Sequence, residues 1–139
     1  MNNNERQFLA KQFVARLATA DNDGVPHVIP VCYAVLGNTA YIAIDQKPKS
    51  GEAHALKRMK NIAINPSVAL ITDHYENDWR RLGWVMLRGS AEILKNGTER
   101  EAAHKMLRKR YKQYEEMDFY GLPVIAIRIA RTTSWGQLN

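Results

Sequence analysis

Apolar residues in NERQFLAKQF fall at Phe8, Leu9 and Phe13, a spacing that predicts a short amphipathic helix leading into a sheet. VARLATAD then reads as a strand, and Asp21-Asn22-Asp23-Gly24 as the turn that ends it. Asn and Asp bond their own backbone there, and Gly supplies a positive φ without steric cost. The next run, PHVIPVCYAVL, is β-branched and apolar, and Gly37-Asn38 separates it from TAYIAID with a second two-residue turn signal. Three antiparallel strands joined by hairpins are therefore expected first. Pro30 lies in the middle one and cannot donate a ladder hydrogen bond. It belongs at an edge, at a bulge, or where a ligand replaces the neighbouring strand.

From Gly51 the period changes. EAHALKRMKNIAIN places Ala53, Leu56, Met59, Ile62 and Ala63 on one helical face, and Asn65-Pro66 ends the helix. SVALITDHY is a fourth strand, YENDWRR a loop, and LGWVMLRGSAEIL a long fifth strand whose Gly89 marks a bulge or a close backbone approach. TEREAAHKMLRKRYKQYEEM opens with Thr98 and Glu101 in capping-box spacing and keeps Ala102, Met106, Leu107 and Tyr111 on one stripe, which predicts a solvent-facing helix. PVIAIRIARTTSW alternates and reads as a sixth strand, half exposed to water. Six strands joined mainly by hairpins, with three helices, favour a mainly β (α+β) architecture, a small antiparallel barrel rather than a βαβ sheet.

At 139 residues the chain can bury roughly 68% of its unfolded surface, enough for a core without metals or disulfides. No Pro-, Gly- or Ser-rich linker and no repeat divides it, so residues 1–139 are expected to form one domain. The lone Cys32 has no partner for an internal disulfide, and no Cys or His cluster has zinc spacing. MNNNERQF lacks a secretory apolar stretch, and no window approaches the ~18 apolar residues of a membrane span. These features lead us to expect a soluble, cytoplasmic protein with no membrane partner. The net charge of +6 and the pI of about 9.6 ask for an anionic partner.

Protein-only catalysis finds little support. Cys32 lies in an apolar run, where a buried thiol acts as a small hydrophobe. His27, His54, His74 and His104 are scattered without metal-ligand spacing, and no GxSxG, Walker A or GxGxxG motif is present. Two positive features remain. Lys47, Lys49, Lys57, Arg58 and Lys60 gather at the mouth of a hairpin and on the helix after it. Arg offers a planar fork and Lys a mobile point charge, both suited to phosphate, although a solvated helix face would carry the same charges. Trp79, Trp84 and Trp135, with Tyr33 and Tyr75, stand at strand ends or in loops, where aromatics fill cores and interfaces or stack on a ligand ring. The RKRYK run at 108–112 is partly neutralised by Glu115, Glu116 and Asp118 and reads as wet surface. No recognisable nucleic-acid motif accompanies it, so no nucleic-acid partner is expected.

VARLATADNDGVPHVIPVCYAVLGNTAYIAID, then KPKS, RMKNIAINP, DHYENDW and GWVMLRGSA, resemble the pyridoxamine 5′-phosphate oxidase-like split β-barrels over residues 8 to 135. The likeness is greatest to their short actinobacterial-type branch, associated with the deazaflavin coenzyme F420. The resemblance implies a six-stranded antiparallel split barrel of the FMN-binding type with flanking helices. It also implies a homodimer with two sites for FMN or coenzyme F420 at the subunit interface. Carried onto this chain, the cofactor phosphate would meet Arg58 beside Lys57, with Lys49 and Ser50 on the loop leading to them. The ring would lie along Pro30, Val31, Cys32 and Tyr33, with Ala43, Ile44 and Asp45 opposite, and Trp84 would reach it from the other subunit. Tyr33 or His27 would be the proton donors nearest the ring. Hydride chemistry would belong to the cofactor, so no side-chain acid or base is strictly required. The tail TTSWGQLN lacks the substrate-phosphate Arg and His residues of the full oxidases beyond Arg128 and Arg131, so vitamin B6 oxidation is not expected. The resulting expectation is a flavin- or deazaflavin-dependent oxidoreductase acting on a small organic substrate. The alternative is a non-catalytic carrier or redox sensor on the same barrel.

Overall fold

The computed structural model describes residues 1–44, 52–117 and 121–139, with 52–56 in backbone only. Among them, the helices are α1 (Asn3–Lys11), α2 (Glu52–Ile64) and α3 (Thr98–Arg110). The strands are β1 (Ala15–Ala20), β2 (Pro26–Val31), β3 (Ala34–Leu36), β4 (Thr39–Ala43), β5 (Ser67–His74), β6 (Gly83–Leu94) and β7 (Val124–Gly136). They form one antiparallel sheet in the order β2-β1-β5-β6-β7-β4-β3. Among the described residues no helix is long and apolar enough to cross a membrane.

The two local hairpins form where turn chemistry places them. Asp21 Oδ1 accepts the N–H groups of Asp23 and Val25, each at 2.9 Å, and β1 pairs β2 across that turn. Gly37, at φ +60°, sits where a side chain would be strained, and β3 pairs β4 across it. The expected second strand, however, is not one strand. It breaks at Cys32-Tyr33 into β2 and β3, so the sheet has seven strands rather than six. β2 and β3 are the sheet's two opposite edges, yet only two residues join them. The sheet must therefore curl until its edges nearly meet, without a ladder between them: a split barrel.

The joint is held from outside the sheet. The Tyr33 N–H donates to the Tyr111 hydroxyl at 3.0 Å, and the Tyr33 hydroxyl lies 2.6 Å from the Leu9 carbonyl and 2.7 Å from that of Gln12. The Arg110 guanidinium also donates to the Leu9, Ala10 and Gln12 carbonyls. It lies 4.6 Å from the Phe13 ring centroid and 5.0 Å from that of Tyr33. A cation at the C-terminal end of α1 satisfies carbonyls that the helix leaves unpaired.

Each helix has its own station. Phe8 and Leu9 of α1 and Ile62 of α2 enter the same core cluster as Leu17, Ile42, Leu70, Leu87 and Ile127. Because α1 leads into the start of β1 while Asn61 Nδ2 donates to Thr19 Oγ1 near its end, the two helices close opposite ends of the barrel. Helix α3 lies outside the sheet, where Ala103, Leu107 and Tyr111 form a second cluster with Tyr41, Ala43, Val124 and Ala126. So β4 and the first residues of β7 are buried on both faces. The half-wet reading of the last strand holds only from Arg128 onward, because α3 covers what the alternation would leave exposed. The stripe on α3 is also turned by one residue: Ala103 is buried and Ala102 exposed.

Two further details depart from expectation or sharpen it. Gly97 occupies the N-cap of α3, so Thr98 is already helical and no capping box forms there. A capping box opens α1 instead, with Glu5 N–H donating to Asn2 Oδ1 and Asn2 N–H to Glu5 Oε1, both at 2.8 Å. At Gly89 the β6–β7 register slips past Ala130, and a Cβ on Gly89 would lie 2.0 Å from the Arg128 carbonyl oxygen. Both the bulge and the close approach anticipated at this glycine are present.

Candidate cofactor site

The strand register fixes which outward side chains stand side by side. Pro30 of β2 opposes Arg16 of β1, Arg16 opposes Ile71 of β5, and Ile71 opposes Met86 of β6. One row along, Asp73 opposes Trp84, and Trp84 opposes Trp135 of β7. In the other direction Val28 opposes Ala18, and Ala18 opposes Ala69. Val28 is 60% and Trp135 51% exposed, and the rest of this face is half-exposed or exposed. The described helices occupy the barrel ends and the β3-β4-β7 side, so among the described residues no helix covers this outward side of β2, β1, β5 and β6, a sheet face that is apolar in large part. Its charges are Arg16 and Asp73, paired at 3.3 Å, and the exposed Arg88 opposite Ala69. An uncovered apolar patch of this kind marks an interaction surface.

The expected site residues divide against this frame. Pro30 and Trp84 lie on the outward face. Pro30 is on an edge strand, where its missing donor costs least, and its ladder partner is Arg16 rather than a residue of β4. Ala43 and Ile44 are thus not opposite Pro30, because the break after Val31 hands the pairing with β4 to β3. Val31, Ala43 and Ile44 are buried within the chain, so a ligand would meet their backbone alone. Cys32 is half-buried against the α3 cluster.

Tyr33 is a structural residue. It is fully buried, burial pushes its phenol up to about 12, and its N–H, carbonyl and hydroxyl are all engaged inside the chain. Neither ring contact nor proton donation fits that environment. His27 is half-exposed on β2, opposite Thr19.

The basic pair on α2 separates by face. Lys57 is exposed, with Nζ 3.9 Å from Asp21 Oδ2, whereas Arg58 is 7% exposed and shares the docked face with Asn61 and Ile62. Arg58 is therefore not part of a solvated helix surface. A guanidinium kept in a buried position, with a lysine next to it, is suited to holding a phosphate away from bulk water. Lys47, Lys49 and Ser50, the rest of the expected phosphate loop, lie outside the described residues, as does Asp45, expected opposite the ring. Arg128, one of two late arginines, is engaged by Glu99, Glu92 and Thr39.

Sequence reasoning did not single out Arg16, Ile71, Asp73 and Met86, which share the outward sheet face with Pro30 and Trp84. The signal was present: SVALITD and WVML carry apolar residues at outward as well as inward positions, which marks strands covered on both sides.

A family model described as pyridoxamine 5′-phosphate oxidase matches residues 1–136. No curated protein matches in sequence. Among solved structures, an FAD-binding protein from Mesorhizobium loti is similar at 23% identity, covering 96% of this chain and 94% of that one, with a TM-score of 0.69. A conserved hypothetical protein from Mycobacterium tuberculosis is similar at 24% identity, with coverage of 98% and 85% and a TM-score of 0.70. The heme storage protein HutZ from Vibrio cholerae is similar at 13% identity, with coverage of 94% and 89% and a TM-score of 0.70. At these identities the likeness speaks for the fold alone.

Proposed function

Because the chain belongs to the pyridoxamine 5′-phosphate oxidase family, we propose that it is a homodimeric redox protein that binds FMN or coenzyme F420 at the edge of its outward sheet face. The observation that carries this reading is the apolar face itself. It holds Pro30 and Trp84, and among the described residues no helix covers it. A second copy packed there would exclude water and bring its own Trp84 toward the first copy's site.

The residues present fit such a cofactor. Arg58 and Lys57 supply charge for its phosphate, with Arg58 held by the docked face of α2. The strand backbone near Pro30 and Val31 offers a flat surface for a ring. When bound, the cofactor supplies hydride transfer to or from a small unsaturated or carbonyl substrate. The chain's own part is to hold the phosphate, orient the ring and keep water from one side of it. With Arg128 committed to Glu99, a substrate phosphate of the vitamin B6 kind has no late arginine waiting for it at that position. The alternative, a non-catalytic carrier or sensor, uses the same binding surface.

Titration of the purified protein with FMN and with F420, followed by visible absorption, tests the reading. Micromolar binding of one of them is expected, and Arg58→Ala should weaken it by about 1.5–3 kcal/mol, the scale of a charged hydrogen bond. Met86→Glu should reduce both dimerisation and binding. Failure to bind either cofactor overturns the proposal, and a Soret band on adding heme in their place would move the assignment to heme. Stoichiometric binding without turnover across a broad substrate panel would favour the carrier.

A further inference from the structure

The basic run at the end of α3, read from sequence as wet surface, has a second neighbour in the folded chain. Lys109 and Arg110 meet Arg6 of α1 around a groove of about 620 Å³ between the two helices and β3. Its walls are apolar: Leu9, Phe13, Val35, Leu36 and Met106 line it, and no Asp or Glu is among the described lining residues. Leu36 is 62% and Phe13 51% exposed, so large apolar surface lies open beneath three cations. The volume suits a small molecule.

The charges are not consumed by their present contacts. Arg6 Nη1 donates to the Gly37 carbonyl at 2.9 Å, and Arg110 donates to carbonyls at the end of α1. Those acceptors are neutral, so both positive charges persist. Elsewhere Arg16, Lys57, Arg80 and Arg128 are matched by carboxylates. The helix dipole explains cations in the last turn of α3, but not Arg6, which lies in the first half of α1, where a cation opposes the dipole.

We propose that this groove binds an amphipathic monocarboxylate, of which a medium-chain fatty acid is the simplest. The alkyl chain lies along Leu9, Phe13, Leu36 and Met106, and the carboxylate sits at the rim formed by Arg6 and Lys109. The groove shares no residue with the proposed cofactor site, so the two stand or fall separately.

The test is calorimetric titration of the full chain with dodecanoate below its micellar concentration. One dodecanoate per chain is expected, with dodecanol and dodecyltrimethylammonium weaker by about tenfold or more. Lys109→Glu, an exposed position, should weaken dodecanoate by about tenfold or more, leaving dodecanol, the thermal midpoint and any FMN or F420 titration unchanged. Lys109→Arg should restore binding, and Leu36→Glu should abolish it. No dodecanoate binding, equal binding of dodecanol, or an unchanged affinity in Lys109→Glu would each overturn the proposal.

Discussion

The joint between β2 and β3 is held in duplicate, and a double-mutant cycle on Arg110 and Tyr33 measures that duplication. The Leu9 carbonyl lies 2.6 Å from the Tyr33 hydroxyl and 3.1 Å from Arg110 Nη2. The Gln12 carbonyl lies 2.7 Å from the same hydroxyl and also accepts from Arg110. A hydroxyl has one hydrogen, so Tyr33 satisfies one carbonyl at a time and Arg110 supplies the other. Arg110→Met keeps the apolar stem and removes the guanidinium. One part-buried carbonyl then loses its donor, at about 1–3 kcal/mol, and the cation leaves the Phe13 and Tyr33 rings, at about 1 kcal/mol. The expected loss is about 2–4 kcal/mol.

Tyr33→Phe keeps the ring and leaves Arg110 in reach of both carbonyls, so it should cost about 1–2 kcal/mol. In the double variant neither carbonyl has a donor, and the loss should exceed the sum of the singles by about 1 kcal/mol. Urea unfolding at one fixed protomer concentration, with m unchanged, gives all four values. Additivity to within about 0.5 kcal/mol would refute the sharing, as would a loss below about 1 kcal/mol for Arg110→Met.

Gly89→Ala places a Cβ 2.0 Å from the Arg128 carbonyl oxygen and 2.8 Å from its carbon, so the backbone itself must shift at the bulge. A loss of at least about 2 kcal/mol, read as a fall in the thermal midpoint of roughly 6–10 °C, is expected. An unchanged midpoint would mean that the ladder has slack there. Hydrogen bonds from Arg128 and then Tyr41 hold the Glu99 carboxyl down to about 2, below its ordinary 4.5. A depressed acid stabilises the fold above its unfolded value and loses that contribution as pH falls through its folded one. Wild type should therefore exceed Glu99→Gln in stability at neutral pH, with the gap closing between about pH 4.5 and 2. Denaturant midpoints across that range check it, and a gap that does not depend on pH would refute the ion-pair account.

Much of the fold was legible because its signals are short-range. The Asp21–Gly24 and Gly37-Asn38 turns each lie between strands that pair directly, so turn chemistry and period were enough. The candidate site was legible only in pieces. Arg58 and Pro30 stood out by residue type, and the family likeness attached a cofactor to them. That Arg58 is buried while Lys57 is wet depends on which face of α2 docks on the barrel. The family likeness placed Tyr33 along the ring, and its run, PHVIPVCYAVL, reads as one strand. The break in that run depends on a hydroxyl 78 residues away, that of Tyr111.

By itself the sequence determined the mainly β class, the places of the three helices, the two hairpins and the tight spot at Gly89. Each of these rests on periodicity, turn residues or a missing side chain, all properties of a few consecutive positions. Only the tertiary structure decided that one apolar run serves as both edges of the sheet. It also decided that α3 buries β4 and the first residues of β7 on their second faces, and that no described helix covers the outward side of β2, β1, β5 and β6. The reason is physical: an apolar position in a strand must be covered, but what covers it is set by contacts between segments far apart in the chain.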